Sequence, residues 1–353
     1  MELNKDFLQL GKRVYNNKTS VNAEGVNEDE NVVIELAHKA INANGTINNI
    51  QAYRDLNQLI INTAEKLQQP NRQQYIDIVS DYKKVGANDI MQYNVEDKIT
   101  KVTTAVTATG TGVNFTKVPS FASKIYATPV KHQFGIKYSI SEMYSDPINQ
   151  FRNAVNLVSE EKTRYILSQI FVAVREASAN AKIPSRQKYS GAGITFAGFK
   201  GIESSLLRYG RNVKPVMIAD TALIGSLADK QASVTVTGAS TIPLYLTDAM
   251  RESLLRDATL EQISKTLAIS IDNPYTDNMN SKVDLPVDEA ILIAGGSASP
   301  LKVTEFGDMA LLSDTIQEHI ENEEAYVKIS YKVDITLLLN RAIGYIKDTS
   351  VIL

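Results

Sequence analysis

Val130-Lys-His-Gln-Phe-Gly-Ile-Lys-Tyr-Ser-Ile140 alternates between apolar and polar residues, and at Ser145-Asp146-Pro147 it gives way to a long stretch with a different period. The even positions are Val130, His132, Phe134, Ile136, Tyr138 and Ile140; the odd ones are Lys131, Gln133, Gly135, Lys137, Ser139 and Ser141. A period of two belongs to a strand with one face in a core and one in water, so the even face is expected to be core. Asp146 can accept from the free N–H groups of a first helical turn, and Pro147 has no N–H to leave unpaired. Beyond them Ile148, Phe151, Val155, Val158, Ile166, Ile170 and Val174 share one helical face, with no Gly or Pro before Pro184. The pattern predicts a helix over 146–180, and roughly 32 helical residues make a rod of about 48 Å. That is longer than a compact core needs.

The chain has 353 residues, 43% of them hydrophobic and 22% charged, which is ordinary for a folded protein with room for two or more cores. Its formal charge is −3 and no basic block occurs, so tight binding of nucleic acid through clustered Lys and Arg is not expected. There is no cysteine, which removes disulfides, thiolate nucleophiles and cysteine metal sites. No signal-peptide core and no run of about 18 apolar residues is present, so no membrane association is expected and the chain is read as cytosolic.

Working outward from the central stretch, residues 1–50 are Asn-rich, with two short apolar stripes around Leu3, Phe7, Leu8 and Leu10 and around Val33, Ile34, Leu36 and Ala37. Each is too short to be stable unless it docks on something, so the segment is read as an arm. Helical patterns follow over Tyr53–Leu67 and Tyr75–Tyr82, closed by Gly86. From Val95 to about Ser123 the composition turns to Thr, Val, Ala and Gly around Gly110-Thr111-Gly112. Two strands joined by a Gly turn fit it, because β-branched residues favour extended chain and Gly supplies positive φ. With few large apolar residues this hairpin cannot be core, so it is expected to reach onto a partner. Thr107, Thr109, Gly110, Gly112, Phe115 and Lys117 are its candidate contact residues.

After the Gly-rich link Ser190-Gly-Ala-Gly193 comes mixed sequence. Phe199, Ile202, Leu206 and Tyr209 mark a helix ended by Gly210, and Val213–Ala219 is a strand buried on both faces. Leu223, Ile224 and Leu227 mark another helix. Leu244–Leu246, a helix Ala249–Leu255 and a helix-like Leu260–Leu267 follow, then a loop Asp272–Pro286 and a buried strand Ala290–Ala294. A second clean alternation, Val327, Ile329, Tyr331, Val333 and Ile335 against Lys328, Ser330, Lys332 and Asp334, predicts a half-exposed strand near the C-terminus.

This order of elements resembles the major capsid protein of tailed phages, the Hong Kong 97-like fold. The expected class is α+β, with an N-terminal arm, an extended β-hairpin loop, a long spine helix, a peripheral domain and an inserted axial domain. In those terms residues 1–50 are the arm, 51–94 its helical continuation, 95–123 the extended loop and 124–190 the peripheral domain. Residues 191–305 resemble the axial domain and 306–353 the peripheral return, with Arg341-Ala-Ile-Gly-Tyr-Ile346 as a last hairpin. The resemblance implies a structural protein, not an enzyme: a homo-oligomer of capsomers closing into an icosahedral shell around DNA held without sequence specificity. It implies assembly in the host cytoplasm, residence in the virion, and portal, scaffolding and decoration proteins as partners. It also implies a spine that bends on shell expansion; members of the family often lose an N-terminal segment to a protease, but residues 1–50 are short for that role and are expected to be kept. The loop tip Thr107–Asn114 has no lysine, so covalent crosslinking through it is not expected. An encapsulin-like shell around a cargo enzyme is the nearest alternative.

No cofactor or metal is expected from the residues. Of the three histidines His38, His132 and His319, none has metal-ligand spacing, and His132 is read as a hydrogen-bonded core residue. Gly295-Gly-Ser297 lacks the spacing of a nucleophile elbow, and Gly191-Ala-Gly193 lacks the third Gly of a dinucleotide loop. Asp272, Asp277, Asn278 and Asn280 do not match a calcium loop and are read as solvated. Glu318, Glu321, Glu323 and Glu324 are read as a solvated helix end or as partners for basic groups of a neighbouring subunit. Asp248 and Glu252, one helix turn apart, are the best acid and base for the distant alternative, a soluble α/β enzyme.

Overall fold

The computed structural model describes residues 5–18, 27–67, 70–95, 123–232, 262–296, 298–313 and 324–353. Four helices come first: α1 (Lys5–Tyr15), α2 (Glu28–Ala40), α3 (Ile50–Lys66) and α4 (Pro70–Val79). Asn27 and Asn49 cap α2 and α3, each side chain accepting from backbone N–H groups of the first turn. Strands β1 (Ser80–Val85), β2 (Gln92–Val95), β3 (Ser123–Tyr126) and β4 (Val130–Ser139) follow, then a short α5 (Ile140–Ser145) and the long α6 (Pro147–Ala179). A 3-10 turn at Ser185–Gln187 leads into β5 (Lys188–Gly191), α7 (Phe196–Tyr209), β6 (Val216–Ala219) and α8 (Thr221–Ala232). The remainder is strand: β7 (Gln262–Ile263), β8 (Thr266–Ser270), β9 (Glu289–Ile293), β10 (Leu301–Phe306), β11 (Ala310–Ser313), β12 (Glu324–Leu337) and β13 (Ile343–Asp348).

These strands form two main sheets and a ribbon. In the five-stranded sheet β12 is the central member: β4 pairs antiparallel along one side of it, from Glu324 opposite Ser139 to Val333 opposite Val130. The other side of β12 is shared by β11 and β10, and β1 runs parallel on the outside of β10. The six-stranded sheet has the order β5-β13-β9-β6-β8-β7. Strands β2 and β3 form the ribbon by themselves.

Helix α6 starts where the sequence predicts, with Asp146 as N-cap and Pro147 in the first turn, and its 33 residues span about 50 Å. One continuous core runs along it. Phe151, Val155, Val158, Ile166, Ile170 and Val174 are buried there with Leu10 and Val14 of α1, Val33 and Ala37 of α2, and α3. Thus Leu10 of the first N-terminal stripe and Val33 and Ala37 of the second dock on helices of their own chain, while the side chains of Leu3, Phe7 and Leu8 lie outside the described residues. The same core takes in one face of the five-stranded sheet, through Ile136, Val327 and Ile329, and one face of the six-stranded sheet, through Ile218, Ile291 and Ile293. The opposite face of the six-stranded sheet, Met217, Ala219, Ala290 and Leu292, packs under α7 and α8 in a second core. Covered on both sides, its strands lose their alternation, which is why β6 and β9 are continuous apolar runs.

Four expectations change. The even face of β4 is core only at its far end: Ile136 and Tyr138 are buried, Phe134 and His132 are half-buried, and Val130 is 49% exposed. Ile140 belongs to α5, not to the strand. The helical spacing of Tyr75–Tyr82 is cut at Ser80, because Tyr82 pairs as strand with Val303 of β10. The helix-like Leu260–Leu267 is a tight β7–β8 hairpin over its described part, with Ser264 at φ 55° in the turn and β8 held parallel to β6. Finally, Ile343–Asp348 makes no hairpin with β12; it crosses to the six-stranded sheet and lies between β5 and β9.

Candidate assembly surface

The spine helix carries cations on its flanks, and the chain uses them to tie distant elements to one rod. Arg152 donates to Val14 O at 3.1 and 2.9 Å and pairs with Glu30 at 3.2 Å, holding the N-terminal helices. Lys162 reaches Glu305 of β10 at 2.6 Å, and Arg164 reaches Asp284 at 2.6 Å in the loop before β9. Arg175 grips Glu289 of β9 with two bonds, 2.8 and 3.0 Å, in the bidentate geometry that suits a guanidinium. Both sheets are therefore fastened to one helix by charge as well as by packing.

Buried carboxylates elsewhere are equally spoken for. Asp348 accepts from Gly193 N at 2.6 Å, Ile194 N at 2.9 Å, Ser350 Oγ at 2.6 Å and Lys230 Nζ at 3.0 Å. Burial alone would raise its pKa, but the bonds from Ser350, Gly193 and Lys230 together hold it well below the usual carboxylate range. The glycine link read as a weak dinucleotide loop is thus a cradle for the chain's own Asp348. Glu203 accepts from Ser264 Oγ, Lys265 N and Thr266 Oγ1 at 2.7–2.8 Å and so fixes the β7–β8 turn. Carboxylates locked to fixed donors hold strands in place and are poorly placed to shuttle protons.

The other singled-out residues have structural uses too. His38 Nε2 donates to Tyr144 O at 3.0 Å, tying α2 to α5. His132 is hydrogen-bonded to the Tyr165 hydroxyl at 3.1 Å and sits in an aromatic group with Tyr331. Burial lowers its pKa, against the raising effect of Val333 O. Asp277 accepts from Ser281 N and Lys282 N, closing its own loop, and among the described residues no three acidic or His side chains converge as a metal would require. Gly295 and Gly296 pass close to Val213 and Lys214, a turn that a side chain would block. Glu324 pairs with Lys137 of the adjacent strand at 3.1 Å, so its partner lies in the same chain.

The candidate surface for partners centres on the ribbon. Val95 pairs with Ser123, so the segment between them departs and returns at opposed positions. Its base is anchored: Tyr93, Ala127, Phe306 and Leu338 form a small buried cluster, and Tyr93 Oη is 2.5 Å from Thr304 Oγ1. Around that base stand Ile90, 83% exposed, Tyr126, 56% exposed, and Val130. Thr107, Thr109, Gly110, Gly112, Phe115 and Lys117 lie outside the described residues, as do Asp248, Glu252, Glu318, Glu321, Glu323 and His319. Sequence reading missed Ile90 and Tyr126, since a single apolar residue in a polar stretch carries no periodic signal; it also missed the cation row on α6.

An α+β subunit in which one long helix carries two sheets, with a strand ribbon that pairs with neither and is anchored against β10, has the order of elements of the Hong Kong 97-like fold and belongs to the class of phage capsid proteins. More particularly, the chain belongs to the family described as "SPbeta prophage-derived putative capsid protein YonB", whose profile matches residues 6–347. It is 28% identical over 344 residues to the SPbeta prophage-derived uncharacterized protein YonB of Bacillus subtilis, spanning 97% of this chain and 96% of that protein. Among solved structures it is similar to one from Microbacterium phage Oxtober96, with TM-score 0.49 and 10% identity over 77% of this chain and 89% of that one. It is also similar to the SrpI encapsulin of Synechococcus elongatus, with TM-score 0.44 and 14% identity over 81% and 90% of the two chains.

Proposed function

We propose that the chain is the major shell subunit of a tailed-phage head, assembling into hexamers and pentamers of an icosahedral particle that encloses double-stranded DNA. The observation that carries this reading is the anchored ribbon: two short paired strands, rooted in a buried cluster with Phe306 and Leu338, in which Val95 and Ser123 lie opposite one another near exposed Ile90 and Tyr126. Short ribbons are not stable alone, so such an element gains its stability from whatever it covers. In a closed shell each covered neighbour contributes a modest interface and the particle holds by their number. Residues 191–305 are the proposed axial domain, while 124–190 and 306–353 are the proposed peripheral one. Portal, scaffolding and decoration proteins complete such a head, which forms in the host cytoplasm.

Electron microscopy of the purified chain tests this. The expected result is closed shells tens of nanometres wide carrying nuclease-protected DNA from infected or induced cells, and only small, soluble oligomers when 107–114 is deleted. A monodisperse small oligomer from the intact chain, or shells that hold a single protein in place of DNA, would overturn it.

A further inference from the structure

Pairing of β4 with β12 gathers lysines that stand far apart in the sequence. Lys131 lies directly opposite Lys332. Lys328, four residues back along β12 and so about 14 Å away, lies opposite Gly135. All three lysines are exposed on the face of the sheet turned away from Ile136, Val327 and Ile329 of the core. None has an ion-pair or hydrogen-bond partner among the described residues, in contrast to Lys137 on the same face, which pairs with Glu324. Like charges directly across a strand pair, with Cβ atoms about 5 Å apart, destabilise it. An anion placed between Lys131 and Lys332 removes that cost.

Gly135 is a second, independent feature. The β4–β12 register is continuous from Val130 to Ser139, so this glycine marks no bulge, and a Cβ there would meet only Val327 O at 3.7 Å, an ordinary contact. The packing of the chain itself does not call for glycine at this point. Its effect is to leave the face open beside Lys328, the kind of place where another backbone can approach closely.

The same strand begins beside the opposite charge. Residues 314–323 contain Asp314, Glu318, Glu321 and Glu323 and no Lys or Arg; they lie outside the described residues, but their flanks do not. Ser313 pairs with Lys328, Glu324 with Ser139, and β11 runs towards the Glu324 end of the sheet. Lys332 is eight residues further along β12, about 27 Å from Glu324. The basic pair and the acidic run thus belong to opposite ends of one strand, and two copies set head to tail bring one to the other.

We propose that the face carrying Lys131, Lys328 and Lys332 receives the acidic run 314–323 of a second copy of this chain. The inference rests on the shell reading and names one contact within it. A contact between two different patches is heterologous and repeats into a ring where the rotation closes. Each exposed ion pair is worth little alone, and a ring multiplies it.

Sedimentation of the full-length chain with its charges exchanged tests this. Lys131→Glu with Lys332→Glu should weaken self-association at least tenfold, and so should Glu318→Lys with Glu321→Lys and Glu323→Lys. Each variant repels its own kind, but the two mixed in equal parts complement one another, and association should return. A second measurement needs no substitution: ordinary and nitrogen-15-labelled chains, mixed before assembly and treated with a carbodiimide, should give amide-linked peptides that join one of the three lysines to the acidic run and carry both isotopes. Linked peptides of a single isotope, or recovery only when both sets of changes sit in one chain, would place the contact within one subunit and overturn the proposal. Loss from the lysine change alone, with none from the acidic change, would point to another anion such as nucleic acid and overturn it too. Shells that form equally well from both variants remove this contact and leave the shell reading standing; rings that obey the charge exchange but never close into shells do the reverse.

Discussion

The two sheets hang from the same helix but are secured by different physics. In the six-stranded sheet both faces are covered, β9 is buried throughout, and the charged groups Glu289 and Asp348, both fully buried, are matched by Arg175, Lys347 and Lys230. In the five-stranded sheet burial is graded along β4, from Tyr138 and Ile136 inside to Val130 outside, and the open end is held by aromatic contacts among His132, Tyr165, Phe134 and Tyr331. One sheet is an interior; the other is part interior, part border. A shell subunit needs both, a unit that keeps its shape and a margin that can fit a neighbour.

Three experiments probe that contrast, from the largest expected effect to the smallest. Asp348→Ala strands Lys230 and the Gly193 and Ile194 N–H groups, and breaking a buried charge network of this kind costs roughly 3–5 kcal/mol. It should appear as a lower denaturation midpoint of the unassembled chain, and a loss below about 1 kcal/mol, the ordinary cost of a point substitution, would show that the six-stranded sheet does not depend on its buried charge. Acidification should then separate the two sheets. His132, among Tyr165, Tyr331, Glu176 and Asp334, has a folded pKa below its ordinary 6.5, so its contribution is fully present above pH 6.5 and is lost as pH falls through the folded value. Asp348, held below 3.8, contributes above pH 3.8 and fails only further down. As pH is lowered from 6.5, hydrogen-exchange protection corrected for the intrinsic rate should therefore fall in β4 before it falls in β9 or β13, and His132→Phe should remove the difference; an equal, simultaneous fall in both sheets would contradict the assignment. Last, Lys137→Ala cuts a solvent-exposed pair with Glu324, and thermal melting should not register it.

What was legible in the sequence follows the same division. The alternations of β4 and β12, the capped start of α6 and the unbroken apolar runs of β6 and β9 are local patterns, each set by a periodic face. Residues were misread where a distant partner overrode local spacing. Ile76, Val79 and Tyr82 recur every three residues as a helix would, yet Tyr82 is strand because β10, far along the chain, offers an edge and Glu305 bonds its hydroxyl. Leu260–Leu267 has helix-like apolar spacing, yet its described part is strand because β6 lies beside β8. The destination of β13 was illegible for a related reason: its apolar run fits either sheet, and Gly344, which allows close approach to α7, chooses one. At the candidate surface, composition singled out Val95–Ser123, of which residues 96–122 lie outside the described residues, whereas the pairing of Gln92–Val95 with Ser123–Tyr126 and the exposure of Ile90 and Tyr126 have no linear signal.

The position of β12 has a consequence for how the subunit is made. Strands β1, β4 and β10 find their places in the five-stranded sheet only through residues 324–337 or through strands that themselves pair with them. During synthesis β4 therefore emerges nearly two hundred residues before its partner, with backbone groups along both edges open to solvent or to another chain. Completion of the sheet must wait until residues 324–337 have been made, with the long loop closure that slows folding. A nascent subunit thus lacks the central strand of this sheet until residue 337 has been made.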